Sequence, residues 1–193
     1  MVVVAWDTEA TRKKLLDAGA RQFAAHGFAG ARMDAIGRDA GVNKERVYKY
    51  FGDKQQFFAA VLAHELSGLL ADIDMTPSSP GAVGRFTGEL FDRCNRRPEL
   101  PRLLAWESLE VGQAVALERR RPICAGQVDC FRAAVPGLDQ AAAEHLLLTA
   151  VTLVTACWSL GAVAESVLGA GLDLPTRRQA VVSQMELLTK ALS

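Results

Sequence analysis

Apolar residues recur along the chain at intervals of three and four, and strand-like alternation is almost absent, so the pattern predicts helices throughout. The first starts from a cap at Asp7 or Thr8, carries Leu15, Leu16, Ala20, Phe23 and Ala24 on its inner face, and stops at His26-Gly27. A short second helix fits about 33–40, with Ile36 and Ala40 inward and Gly41 as its stop. A third begins near Asn43, turns Val47 and Phe51 inward, and ends at Gly52. Asp53 then caps a long helix through Phe57, Phe58, Val61, Leu62, Leu66, Leu69 and Leu70. The clearest break is "DMTPSSPG" (74–81), a loop too short to join independent domains. Beyond it, helices near 82–95, 99–112, 115–134, 140–169 and 176–192 are separated by "RRPELP", "VG", "VPGLD" and "GAGLDLP". The expected fold is all-α: a three-helix N-terminal domain (1–53) followed by a larger helical body (54–193).

Composition sharpens this picture. Half of the 193 residues are hydrophobic, which suits a compact globular chain with a real core. The net charge is zero, yet residues 1–60 hold ten Lys/Arg against seven Asp/Glu, and the remainder holds twelve against fifteen. Any affinity for nucleic acid must therefore be local to the N-terminal part. The four cysteines, Cys94, Cys124, Cys130 and Cys157, have no metal-ligand spacing and read as small buried hydrophobes of a reducing cytoplasm. "MVVVAWD" lacks the basic start and long apolar run of a secretory leader. From Leu146 to Ala164 no residue is charged, nearly the length of a membrane span. Thr149, Thr152, Thr155 and Ser159 make a mildly polar stripe along it, and no aromatic belt or basic cluster flanks it. A buried helix is expected rather than a membrane span.

The chemistry concentrates in "GVNKERVYKYFGDK" (41–54), which sets four cations and two tyrosines on about three turns. Gly41 suits the positive backbone angle of a tight turn between helices, and Gly37 lies where the second helix must cross the first closely. This is the helix-turn-helix pattern, whose second helix enters the DNA major groove. With Val42, Val47 and Phe51 inward, Lys44, Glu45, Arg46, Tyr48 and Lys49 project outward or toward the leading end. Lysine and arginine can pair with guanine O6 and N7, and tyrosine can bond a phosphate or pack on a thymine methyl. Lys54 is placed for a phosphate beside the free N–H groups of its helix, and Arg32 for the backbone on the other side.

The stretch 20–62 resembles the N-terminal domain of the TetR/AcrR family of transcriptional repressors. The matching elements are F-x-x-H-G-F (23–28), I-G-R-D-A-G-V (36–42), V-Y-K-Y-F (47–51) and G-D-K (52–54). The resemblance implies that the first three helices bind DNA and the rest forms a ligand-responsive dimerisation domain. It puts the recognition positions at Lys44, Glu45, Arg46, Tyr48, Lys49 and Tyr50, with Lys54 as the phosphate lysine. Three departures stand out: Ala31 and Arg32 where the family usually has Thr or Ser, Arg46 where a small or hydroxyl residue is common, and Asn43 in place of a capping serine.

The same resemblance implies a homodimer through the last two helices, with Leu146, Leu147, Val151, Val154, Trp158 and Val167 among the candidates for the contact. Two recognition helices could then read half-sites of a palindromic operator about 34–36 Å apart. An effector pocket is expected among the middle helices, with Phe91, Cys94, Leu103, Trp106, Glu107, Phe131, His145 and Trp158 as wall candidates and a hydrophobic or aromatic small molecule as occupant. Nothing suggests an enzyme. There is no G-x-S-x-G, H-E-x-x-H or P-loop, and no cofactor or metal is expected. The alternative is a helical small-molecule carrier without DNA-binding activity.

Overall fold

The computed structural model describes residues 8–70, 73, 81–169 and 173–192, so the expected cap Asp7 and loop residues 74–80 lie outside the described residues. The helices are α1 (Thr8–Gly30), α2 (Met33–Ala40), α3 (Lys44–Phe51), α4 (Lys54–Leu70), α5 (Ala82–Arg96), α6 (Glu99–Trp106), a π-helical turn (Glu107–Val111), α7 (Leu117–Ala134), α8 (Gln140–Ser159), α9 (Gly161–Leu168) and α10 (Leu174–Leu192). No strand occurs among the described residues. Two compact units result: residues up to Ser67 with Arg102–Leu117, and Gly68–Pro101 with Glu118 onward. The units therefore do not part at residue 53. Most of α4 and the segment 102–117 pack with the N-terminal helices.

In the first unit Leu15, Leu16 and Phe23 of α1, Ile36 of α2, Val47 of α3 and Phe57, Phe58, Val61 and Leu62 of α4 are buried. Each such side chain contributes roughly 1.5–3 kcal/mol by leaving water. Phe23 lies edge-on to Phe58 at 5.1 Å and to Phe57 at 5.8 Å, an arrangement that the ring quadrupoles favour. Gly19 lets α4 close in: a Cβ there would lie 2.7 Å from Val61 Cγ2 and 2.9 Å from Phe57 Cζ. The expected stop at Gly27 is a kink instead. Gly27 leaves helical geometry (φ 74°, ψ 176°), and α1 resumes as far as Gly30.

In the second unit α5 packs on α8 and α10. Phe86 meets Phe131 edge-on at 5.0 Å, and Phe91 lies 5.0 Å from Trp158. Gly84 and Gly88 admit the side chains of Glu186 and Arg178, whose atoms a Cβ would meet at 2.6 and 2.7 Å. Arg178 in turn grips Asp92 with two hydrogen bonds of 2.8 Å. One long helix was expected over 140–169, but it breaks at Leu160 (φ −120°, ψ 40°), and Gly161 starts a separate α9. Glycine next to the break lowers the cost of leaving the helix there.

By length and composition α8 could cross a membrane, yet its Ala143, Leu146, Leu147, Ala150, Val154 and Cys157 are buried in the second unit. The hydroxyls of Thr149, Thr152 and Thr155 each donate to the carbonyl four residues back at 2.8 Å.

Candidate DNA-recognition surface

The α2–α3 corner is built almost entirely by local backbone chemistry. Gly41 takes a left-handed conformation (φ 69°, ψ 31°), and its N–H donates to the Arg38 carbonyl. The Val42 N–H donates back to Gly37 O at 2.8 Å, closing the helix end with a Schellman-type bond. Gly37 has no substitute at this crossing, because a Cβ would stand 2.6 Å from the Val42 carbonyl oxygen. Asn43 caps α3, its side-chain oxygen accepting from Arg46 N–H at 3.0 Å. Val47 is fully buried and Phe51 nearly so, with the Phe51 ring 4.5 Å from that of Phe57. These anchors fix which face of α3 points away.

That outer face holds Lys44, Glu45, Tyr48 and Lys49, all exposed. Tyr48 is 43% exposed, a large value for an aromatic, and Lys44 Nζ sits 5.8 Å from its ring centre. The cation steadies the ring without taking its hydroxyl. Arg46 and Tyr50 are half-buried on the flanks, Tyr50 with its ring centre 6.1 Å from that of Phe51. Among the described residues Lys44 and Lys49 enter no ion pair, so their charge remains available to an anionic partner.

Gly52 ends α3, its N–H donating to Tyr48 O at 2.8 Å. A reciprocal cap then starts α4: Gln56 N–H donates to Asp53 Oδ1 at 2.8 Å, and Asp53 N–H donates to Gln56 Oε1 at 3.3 Å. Lys54 follows at once. Its Nζ donates to the Ala29 carbonyl at 2.9 Å and lies 5.2 Å from the Phe28 ring centre. Burial lowers its pKa, and the charge of Glu110 partly offsets this.

Arg32 occupies the cap position of α2 but gives its helix no side-chain cap, the cost of replacing a hydroxyl residue there. Its Nε donates to Asp34 Oδ1 at 3.2 Å, and Arg38 donates to Asp34 Oδ2 at 3.0 Å. Hydrogen bonds from these two guanidinium groups hold the Asp34 carboxyl down to about 2.

Sequence reasoning missed Asp34 as the local partner of Arg32, and it missed Glu110. The π-helical turn brings the Glu110 carboxylate to Ala29 N–H at 2.8 Å, against Gly27, where a Cβ would lie 3.0 Å from both oxygens. Asp34 was legible from its spacing to Arg32 and Arg38, whereas Glu110 arrives from 81 residues away in the chain. A further cluster joins Asp17, His64 and Glu65, whose ligand atoms lie within 4.8 Å of one another. Asp17 already binds Lys13 Nζ at 2.8 Å, and we assign no ion to this corner.

The eight residues expected to line a pocket divide between the units. Leu103, Trp106 and Glu107 belong to the first. There Trp106 Nε1 donates to Ala24 O at 3.3 Å, and the buried Glu107 carboxylate accepts from Val115 N–H at 2.6 Å. Phe91, Cys94, Phe131, His145 and Trp158 belong to the second. Phe91 and Trp158 pack together, while Phe131 is used by Phe86 and His145 is exposed. Burial, with the nearby Cys157 adding to it, pushes the Cys94 thiol up to about 12 and leaves it a neutral core group. An apolar groove of about 210 Å³ lies elsewhere, between Ala156, Cys157 and Leu160 of the α8 end, Val163 and Val167 of α9, and Arg177 of α10.

Comparison with known proteins decides the lineage. Residues 15–61 match the profile described as "Bacterial regulatory proteins, tetR family", and residues 82–186, more than half of the chain, match "Tetracyclin repressor-like, C-terminal domain". This chain belongs to the TetR family. The HTH-type transcriptional repressor SCO4008 of Streptomyces coelicolor is 38% identical over 112 residues, covering 58% of this chain and 57% of that protein. The repressor NicS of Pseudomonas putida is 31% identical over 114 residues, covering 57% and 54%. The chain thus spans little more than half the length of the curated relatives it matches. Among solved structures, the regulator candidate SCO4942 of Streptomyces coelicolor superposes with a TM-score of 0.69 at 30% identity, covering 92% of this chain and 97% of that one. FadR of Bacillus subtilis, solved in complex with stearoyl-CoA, gives 0.67 at 16% identity over 90% and 97%, which shows a shared fold.

Proposed function

We propose that this TetR-family chain is a sequence-specific DNA-binding transcriptional repressor. In this reading it acts as a homodimer in the bacterial cytoplasm, sits on a palindromic operator at the nucleoid, and is released by a small-molecule effector. The observation that carries the proposal is the outer face of α3, where Lys44, Glu45, Tyr48 and Lys49 stand exposed on a helix anchored from behind by Val47 and Phe51. Arg46 and Tyr50 flank that face, Asn43 starts the helix, and Arg32 and Lys54 supply cations on either side for phosphates. The naming of SCO4008 and NicS as HTH-type transcriptional repressors supports the same reading.

The dimer is supported by apolar side chains that the second unit leaves uncovered. Val167 is 76% exposed and Leu187 65%, with Leu148, Val163, Leu168, Leu188 and Leu192 also open on α8, α9 and α10, and Leu160 at the break between α8 and α9. A stable monomer rarely exposes so many neighbouring apolar groups. A hydrophobic or aromatic effector suits the apolar second unit, and the stearoyl-CoA bound by Bacillus subtilis FadR makes long-chain acyl thioesters the first compounds to try.

Selection of bound duplexes from a random library should return a palindrome. The double variant Lys44→Ala/Tyr48→Ala should then lose roughly 1–3 kcal/mol of base discrimination per lost contact while remaining folded and dimeric. Full retention of operator affinity in that variant would remove α3 as the reading helix. Effector action is checked by release of the selected duplex on adding acyl thioesters.

A further inference from the structure

The π-helical turn does something that the recognition helix does not require. Glu107–Val111 is a π turn, closed by Gly112 N–H donating to Glu107 O at 3.0 Å, five residues back. Such a turn takes an additional residue into its ring and resets the phase of the side chains that follow. Glu110, on this turn, reaches the α1 kink. Its carboxylate accepts from Ala29 N–H at 2.8 Å and rests on the bare Cα of Gly27. Lys54 Nζ donates to the Ala29 carbonyl at 2.9 Å, over the Phe28 ring. One residue, Ala29, is therefore held by an anion on its N–H and a cation on its carbonyl. Trp106, just before the π turn, adds a bond from its indole N–H to the Ala24 carbonyl, one turn earlier in α1.

We infer that Glu110 is a positioning residue for the phosphate anchor: by pinning the 27–30 turn it fixes the carbonyl that aims the Lys54 ammonium, so that segment 102–117 governs one phosphate contact of the DNA-binding head. This rests on the reading of Lys54 as a phosphate contact. The geometry favours positioning over mere packing. Glu110 is exposed, so little apolar burial holds it, and its carboxylate bonds a backbone donor rather than the lysine itself. A lysine has three donors, so Lys54 can keep its Ala29 bond and still offer protons to a phosphate. An ammonium tethered at a fixed carbonyl gives up less freedom on binding than one on a free four-carbon stem.

The test measures affinity of the full chain for the library-selected duplex and for a short mixed-sequence duplex, each across a salt series. Lys54→Ala should weaken both equally and lower the magnitude of the salt slope by about one. Glu110→Ala should do the same, with about a tenfold loss at low salt, the scale of one charge-assisted hydrogen bond. In the Lys54→Ala background it should add nothing further. Glu110→Gln retains an oxygen for Ala29 N–H and should restore most of the affinity. An unchanged slope in Glu110→Ala, a loss that adds in full to that of Lys54→Ala, or a Glu110→Gln variant as weak as the alanine would each overturn the inference. Thermal unfolding separates these outcomes from a misfolded variant, and Glu110→Ser, which also removes the carboxylate, takes the place of the alanine if that variant fails to fold. If wild type binds neither duplex, or Lys54→Ala leaves the slope intact, the failure belongs to the DNA-binding reading instead.

Discussion

The two units are inverted with respect to what they show to solvent. On α3 of the first, the apolar residues are spent on the unit's own core and the exposed face carries cations and a tyrosine hydroxyl. On α8, α9 and α10 of the second, polar atoms are bonded inward to the helix itself while leucines and valines stand exposed. A solvated cationic face is stable in water and becomes informative only when an anion arrives. An exposed apolar stripe is unfavourable in water from the outset and calls for a permanent partner. Exposure alone therefore does not distinguish a transient surface from an obligate one, but its chemistry does.

The largest effect should come from reversing the character of the second unit. Val167→Asp with Leu187→Asp places unpaired charge in the proposed twofold contact, where each substitution counts twice. Stranding charges there costs roughly 3–5 kcal/mol, so sedimentation should show the dimer dissociating about a thousandfold more readily. A variant that remains dimeric would end the contrast between the units. Gly37→Ala strikes the first unit at its tightest crossing. The added methyl meets a backbone carbonyl that cannot rotate away, and thermal or denaturant unfolding should report a loss of roughly 1–3 kcal/mol, with DNA binding falling in step.

A smaller change is expected from Asn43→Ala, which removes the cap on the Arg46 N–H and should cost about 1 kcal/mol by the same measurements. The smallest concerns pH. The folded-state pKa of Asp34 is depressed to about 2 from 3.8, so its contribution is present above about 4 and fades as pH falls toward 2. A carboxyl titration followed by NMR should give a midpoint near 2, moving up toward the ordinary value in Arg38→Ala. A wild-type midpoint at the ordinary value would dissolve the Arg32–Asp34–Arg38 group.

Much of the first unit was legible because its determinants are close in sequence. Gly37, Gly41, Asn43 and Asp53 act on atoms within a few residues, and the spacing of Val47 and Phe51 sets the face of α3. The second unit was harder to read because α8 is nearly all apolar. A helix with hydrophobic residues on every side carries no phase, so Leu146, Leu147 and Val154, expected at a dimer contact, are in fact buried in their own unit, while Leu148 is open. Val167 was also expected there and is exposed. The break at Leu160 escaped notice because hydropathy continues through it, and no local pattern could have announced the meeting of Glu110 with Ala29.

The threonines of α8 carry a consequence for how this helix meets whatever covers it. Each hydroxyl proton is already committed to a carbonyl of the previous turn, so Thr149, Thr152 and Thr155 offer an approaching surface chiefly a methyl group. What the letters spell as a polar stripe is, to a neighbouring helix, closer to a row of valines. Replacing these positions with valine changes little of what a partner touches, whereas alanine leaves gaps.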